Sequence, residues 1–167
     1  MSMRFLPILM GIVGLGLGGC LESPLLDHVQ ARDLEAVVSP ATTGCALSFA
    51  KLKLCASLEW VHEPVDENTG EFTLRFWNPA TGTEHGPYVS PTAPSTELKV
   101  KLWMPAMGHG SSPVTVTPAV DAAGSAVEGI FEATGVYFVM GGHWEIWAQI
   151  KQGTTIVDQA KVTYEAH

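Results

Sequence analysis

The clearest pattern in the chain is the alternation of apolar and polar residues over positions 98–104, which read LKVKLWM. The even-numbered positions are all apolar, whereas two lysines and a tryptophan occupy the odd-numbered ones. A period of two predicts a β-strand with one face in the core and the other toward solvent.

Similar patterns predict six more strands, separated by turns rich in Pro, Gly and Asn. These strands are expected at 57–62, 71–77, 114–117, 127–133, 144–150 and 155–164. Turns at such intervals are typical of a β-sandwich, and no long segment keeps a helical period. The sequence therefore predicts an all-β, immunoglobulin-like antiparallel β-sandwich of about seven strands over residues 45–167.

The N-terminal residues have the order of a secretory signal, with one basic residue, Arg4, an apolar run over 5–16 and then small residues. The run is shorter than the roughly 20 apolar residues of a membrane-spanning helix. Leu17-Gly18-Gly19-Cys20 resembles the lipobox of bacterial lipoproteins, which implies acylation of Cys20. We expect a lipoprotein signal peptide over 1–19 and a lipid anchor and tether over 20–44. The alternative is an uncleaved membrane anchor with a chance cysteine.

The expected location and partners follow from this anchor and from the charge. The chain has 17 acidic and 9 basic residues, whereas phosphate binding relies on clustered Lys and Arg, so no nucleic-acid partner is expected. Contact with the membrane is expected through the lipid. Leu21 stands where some Gram-negative lipoproteins have the Asp that favours inner-membrane retention. We therefore expect an envelope protein that faces the periplasm from the outer membrane.

The chain has three cysteines, so two of them can pair with each other if Cys20 is acylated. Cys45 and Cys55 are then expected to form a disulfide, which persists in an oxidising compartment. Ten residues of straight strand would span roughly 33 Å, whereas bridged Cα atoms lie within about 7 Å. The chain must therefore double back, near Lys51. A two-cysteine metal site is the alternative, although C-x9-C is not a usual ligand spacing.

Two groups of soft side chains lie where predicted strands end. The first is 103–110 (WMPAMGHG) and the second is 140–144 (MGGHW). Thioether sulfur and imidazole suit Cu(I), whereas Mg²⁺ and Ca²⁺ prefer oxygen ligands. The candidate copper ligands are Met104, Met107 and His109, with Met140 and His143 as additions and Trp103 or Trp144 as a cation–π cap.

Other interpretations of these residues stay open. Met104 lies on the inward face of its strand, where a methionine can simply fill core volume. Trp144 has the same parity as Ile146, so His143 falls on the opposite face of that strand. A single histidine in a loop is also more often solvated than bound to a metal.

The two segments together resemble the YtkA-like/FixH family of small, immunoglobulin-like bacterial domains. Met-Pro-x-Met-x-His at 104–109 and Met-x-Gly-x-Trp at 140–144 carry the resemblance, which spans roughly 97–164. It implies copper handling and the assembly of copper-containing respiratory oxidases, with which members are linked. The chain departs from the FixH pattern because it has a lipid anchor in place of a membrane helix.

The first functional hypothesis is a lipid-anchored envelope protein that binds Cu(I) for delivery or sequestration. Its partner is then a copper-accepting or respiratory-complex protein. The alternative is a metal-free β-sandwich interaction module that assists assembly of an envelope or respiratory complex through an apolar Met/His/Trp patch. An enzyme is not expected, since the sequence has no Gly-x-Ser-x-Gly elbow and 62–66 lacks the second His of a zinc-protease helix.

Overall fold

The computed structural model describes residues 44–65 and 68–167. All regular elements in these two ranges are β-strands: β1 (Leu47–Phe49), β2 (Leu54–His62), β3 (Gly70–Trp77), β4 (Glu97–Met104), β5 (His109–Gly110), β6 (Thr115–Val120), β7 (Ala126–Val136), β8 (Gly142–Gln152) and β9 (Thr155–Ala166). None of the residues in these ranges forms a helix long and apolar enough to cross a membrane. The expected signal peptide over 1–19, the acylated Cys20 and the tether up to residue 43 lie outside the described residues.

The strands form two antiparallel sheets whose inner faces share one core. The five-stranded sheet has the order β1-β2-β3-β7-β6 and the four-stranded sheet has the order β5-β4-β8-β9. A single hydrophobic cluster contains fully buried side chains of both sheets, among them Phe72 of β3 and Trp144 of β8. The predicted antiparallel β-sandwich is confirmed.

The seven predicted strands correspond to β2, β3, β4, β6, β7, β8 and β9, with ends that differ by up to three residues. The structure adds two short strands, β1 with three residues and β5 with two. Strands of this length contain too few residues to show an alternating pattern. Their position follows instead from the hairpins that each forms with the neighbouring long strand.

The predicted disulfide between Cys45 and Cys55 is present, with Cα atoms 5.2 Å apart. β1 and β2 form a hairpin in which Ser48 pairs with Cys55, so the chain doubles back as the geometry requires. Lys53, which ends the turn, has a positive φ of 55°. The bridge engages both thiols, and the two-cysteine metal site is therefore excluded.

A buried carboxylate connects this hairpin to the other sheet. Asp158 of β9 is 5% exposed. Its Oδ2 accepts hydrogen bonds from the backbone N–H groups of Lys51 and Leu52 at 2.8 and 2.9 Å, and its Oδ1 accepts one from Gln159 N at 2.9 Å. These bonds offset the cost of burying a charge. Asp158 thereby fixes the β1–β2 turn to the edge of the four-stranded sheet.

The outer face of the four-stranded sheet holds a second polar network, centred on Glu145. This carboxylate accepts hydrogen bonds from Lys161 Nζ and from Trp147 Nε1, and its side chain is only 13% exposed. The ammonium of Lys161 also lies 4.9 Å from the centroid of the Trp147 ring, and that of Lys101 lies 4.0 Å from the centroid of the Trp103 ring. The bond from Lys161, with further support from Trp147, lowers the pKa of Glu145 below its ordinary value.

Replacing Asp158 tests the link between the sheets. We expect Asp158→Ala to lower the free energy of unfolding by roughly 1–3 kcal/mol, because it removes the acceptor of three backbone N–H groups. Urea denaturation measures this loss. The matched control is Asp121→Ala, since Asp121 accepts two backbone N–H groups in an exposed turn where water can replace it. Equal losses in the two variants would contradict the assigned role.

Glu145 predicts how stability depends on acid pH. Because its pKa is lowered in the folded state, its stabilisation is complete above the ordinary carboxyl value of 4.5 and is lost as the pH falls through the folded-state pKa. We expect Glu145→Gln to flatten the decline of the unfolding free energy below that pH. Glu97→Gln is the control, since Glu97 forms a solvated pair with Lys99. An identical acid decline in the wild type and Glu145→Gln would refute the prediction.

Candidate metal centre

The soft donors of the first segment are arranged by the tight turn between β4 and β5. The backbone carbonyl of Met104 accepts hydrogen bonds from Met107 N at 3.3 Å and from Gly108 N at 3.0 Å. Gly108 has a φ of 65°, a conformation that glycine adopts without strain. The turn brings His109 directly opposite Met104 in the antiparallel pair. Residues paired in this way have Cβ atoms about 4.5–5.5 Å apart on the same face of the sheet.

His109 packs against the buried indole of Trp144. The two ring centroids are 6.0 Å apart and the rings meet nearly edge to face. His109 Nδ1 lies 3.0 Å from the carbonyl oxygen of Gly110, which can only accept a hydrogen bond. Nδ1 is therefore the donor in this contact, and Nε2 is the nitrogen available to a metal. Metal-binding histidines commonly use this tautomer, held by a backbone carbonyl.

Met104 occupies a space that a glycine on the neighbouring strand leaves free. Its side chain is 4% exposed, and a Cβ at Gly142 would lie 3.3 Å from its terminal methyl carbon. Gly142 also has a φ of 124°, in a region that other residues rarely adopt. The glycine of the second segment thus makes room for a thioether of the first.

Met107 and Met140 place two further thioethers on the surface at this end of the sandwich. Their side chains are 60% and 43% exposed. Met140 is fixed through its backbone, since its carbonyl accepts a hydrogen bond from Trp144 Nε1 at 3.0 Å. It also lines a shallow depression of about 200 Å³ beside Phe138 and Ala166. Trp144 thereby contacts His109 through its ring and Met140 through its N–H.

His143 and Trp103 lie on the opposite face of the sheet. His143 is exposed and its Nδ1 contacts a carboxylate oxygen of Glu165. Trp103 stacks under the ammonium of Lys101. Because side chains alternate along a strand, neither can join the donors that surround Trp144. The structure thus brings together Met104, His109 and Trp144, whereas Met107 and Met140 lie on the adjoining turns.

We define the Met/His rim as Met104, Met107, His109 and Met140. Within the described ranges, no three His, Cys, Asp or Glu side chains cluster closely enough to hold a metal ion. The rim instead combines one imidazole with three thioethers and contains no anionic ligand. Such a set satisfies a soft monovalent cation better than a hard divalent one.

Sequence reasoning missed the aromatic side chains that continue from the rim into the core. Phe138 lies between Trp144 and Tyr164, with ring centroids 5.2 and 4.9 Å from theirs. The β8–β9 pair sets Trp144 opposite Tyr164, and the loop before β8 adds Phe138. The inward parity of Trp144 was the one signal that the sequence offered.

Comparison of the chain with protein-family models, with curated proteins and with solved structures found no match.

Proposed function

We propose that the protein is a lipid-anchored envelope protein that binds Cu(I) at the Met/His rim for delivery or sequestration. The observation that carries this proposal is the pairing of Met104 with His109 beside Trp144. It places a thioether and an imidazole next to each other on one face, with Nε2 of the imidazole free to bind. The resemblance of 104–109 and 140–144 to the YtkA-like/FixH pattern supports the same chemistry.

The exposure of the donors fits a protein that passes its metal on. Met104 is buried and His109 is half-buried, whereas Met107 and Met140 are on the surface. A surface thioether can be exchanged for a ligand of an acceptor protein without unfolding the core. The proposed partner is therefore a copper-accepting protein, such as a component of a respiratory complex.

The proposed location rests on the sequence and on one feature of the fold. The lipobox-like Leu17-Gly18-Gly19-Cys20 supports acylation of Cys20, and the disulfide between Cys45 and Cys55 is typical of an oxidising compartment. We propose that the sandwich faces the periplasm on a tether over 20–44. Leu21 favours the outer membrane.

Copper titration tests the proposed function. We expect the acylated protein, with its Cys45–Cys55 disulfide intact and with ascorbate as the reductant of copper, to take one equivalent of Cu(I) from a chromophoric chelator such as bicinchoninate. Met107→Ala/His109→Ala should lose this uptake, because it removes one sulfur and the imidazole from exposed or half-exposed positions. Its melting temperature without metal should change little. Met104→Leu keeps the core volume and should weaken uptake by removing only the sulfur.

The matched control is His143→Ala. His143 is a histidine of the second segment, but it lies on the outer face beside Glu165. Its substitution should leave copper uptake unchanged. The absence of stoichiometric uptake by the wild type, or an equal loss in His143→Ala and the double variant, would refute the proposed site.

The exposed apolar surface favours a second candidate, the metal-free interaction module. Met107, Val139 and Met140 are all 43% exposed or more and lie on the turns at this end. Under this candidate a purified periplasmic partner binds the metal-free protein with the same affinity in the presence of a copper chelator. Under the first candidate, the chelator abolishes copper transfer to the partner.

A further inference from the structure

A continuous column of aromatic rings runs from the Met/His rim through the core to the five-stranded sheet. It begins at His109, continues through Trp144 and Phe138 to Tyr164, and ends at Trp60. Successive ring centroids are 6.0, 5.2, 4.9 and 5.1 Å apart, in that order. We call these five residues the aromatic column. Its spacing is close enough for an electron to pass from ring to ring.

Tyr164 is the residue of the column that can release an electron and a proton together. Its hydroxyl donates a hydrogen bond to Glu63 Oε2 at 2.8 Å. Burial and the Glu63 carboxylate raise the pKa of Tyr164, so the phenol keeps its proton at neutral pH. A phenol bonded to a carboxylate is easier to oxidise than a free one, because its proton can move along the existing hydrogen bond as the electron leaves.

Trp144 differs from Tyr164 in its hydrogen-bond acceptor. Its Nε1–H is bonded to the backbone carbonyl of Met140, which is too weak a base to take the proton. An oxidised Trp144 therefore stays an indole radical cation and returns to its resting state by accepting an electron alone. Trp144 and Tyr164 are directly opposite each other in the β8–β9 pair, and Phe138, stacked on Tyr164 at an interplanar angle of 18°, packs against both rings.

We propose that the aromatic column is an electron-transfer path that moves an oxidising equivalent from the rim to Tyr164. Its natural oxidant rests on the proposed function: Cu(I) at the rim reduces hydrogen peroxide, giving Cu(II), hydroxide and a hydroxyl radical. That radical takes an electron from the buried Trp144 through the His109 ring that packs against it, and becomes a second hydroxide. Trp144 then takes an electron from Tyr164, whose proton moves to Glu63. The products are Cu(II), two hydroxides, a neutral Tyr164 phenoxyl radical and a protonated Glu63.

Such a path protects the ligands. Methionine is converted to its sulfoxide by oxidants of this kind, and a sulfoxide no longer offers the soft sulfur that Cu(I) prefers. Moving the oxidising equivalent to Tyr164 leaves the rim sulfurs intact. The phenoxyl radical can then be reduced by a small-molecule thiol or ascorbate, since Tyr164 is only half-buried.

The test uses the full-length protein with ring-deuterated tyrosine, which narrows the electron paramagnetic resonance signal of a tyrosyl radical but not that of a tryptophanyl radical. One sample is loaded with Cu(I), treated with peroxide and freeze-quenched. The other is copper-free and is oxidised by flash-generated tris(bipyridine)ruthenium(III). We expect a tyrosyl signal in both. It should be lost in Tyr164→Phe and retained in the control Tyr88→Phe, whose exposed hydroxyl donates to a backbone carbonyl.

Two more variants separate electron transfer from packing. Glu63→Gln keeps a hydrogen-bond acceptor but cannot take the proton, so the tyrosyl signal should be lost while the melting temperature stays close to that of the wild type. Trp144→Phe keeps an aromatic side chain in the core but removes the indole that donates the electron, and the signal in the copper and peroxide sample should be lost. In that sample, Tyr164→Phe should also accumulate more sulfoxide at the rim methionines than Tyr88→Phe.

The two samples distinguish failure of this proposal from failure of copper binding. If the protein takes up no copper, the ruthenium sample still decides whether Tyr164 is the terminal donor. An unchanged tyrosyl signal in Tyr164→Phe would overturn the proposal in either sample. A Tyr164 signal with ruthenium, but none with peroxide in a protein that binds Cu(I), would overturn the path from the rim.

Discussion

The pleat of the four-stranded sheet decides which chemistry-bearing residues can act together. Successive side chains point to opposite faces, and the packed core of the sandwich prevents either strand from slipping by one residue. Met104 and Trp144 are therefore fixed inward, and Trp103 and His143 outward. The segments 103–110 and 140–144 each mix soft and aromatic residues. The pleat places some of these side chains in an inner site near His109 and the others on an outer surface that carries ion pairs.

Much of the fold was predictable because long strands carry their own periodicity. β4 and β8 alternate over their whole length, so their position and buried face could be predicted from the sequence. The disulfide was predictable from the number of cysteines and from the oxidising compartment that the sequence led us to expect. β1 and β5 were not, because strands of three and two residues depend on their partner strand. Neither was Asp158, whose burial depends on a turn more than a hundred residues earlier.

The sequence was enough to predict which kinds of ligand atoms the candidate site contains, but not which residues lie together in it. Residue identity showed that soft ligands lie at strand ends, and parity placed His143 away from Trp144. The pairing of Met104 with His109 depends on the number of residues in the β4–β5 turn, which no periodic pattern encodes. The stacking of Phe138 on Tyr164 joins a loop to the last strand. Such contacts arise only from the packing of the whole domain.

The disulfide has a mechanical consequence. Cys45 precedes β1, the short edge strand, whereas Cys55 belongs to β2, which pairs with both of its neighbours. A pulling force applied on the N-terminal side of Cys45 is transmitted through the sulfur bridge directly into β2 and bypasses residues 46–54. The three-residue edge strand β1 is thus shielded from tension, and the domain can be held at its N-terminal end without β1 being pulled away from β2.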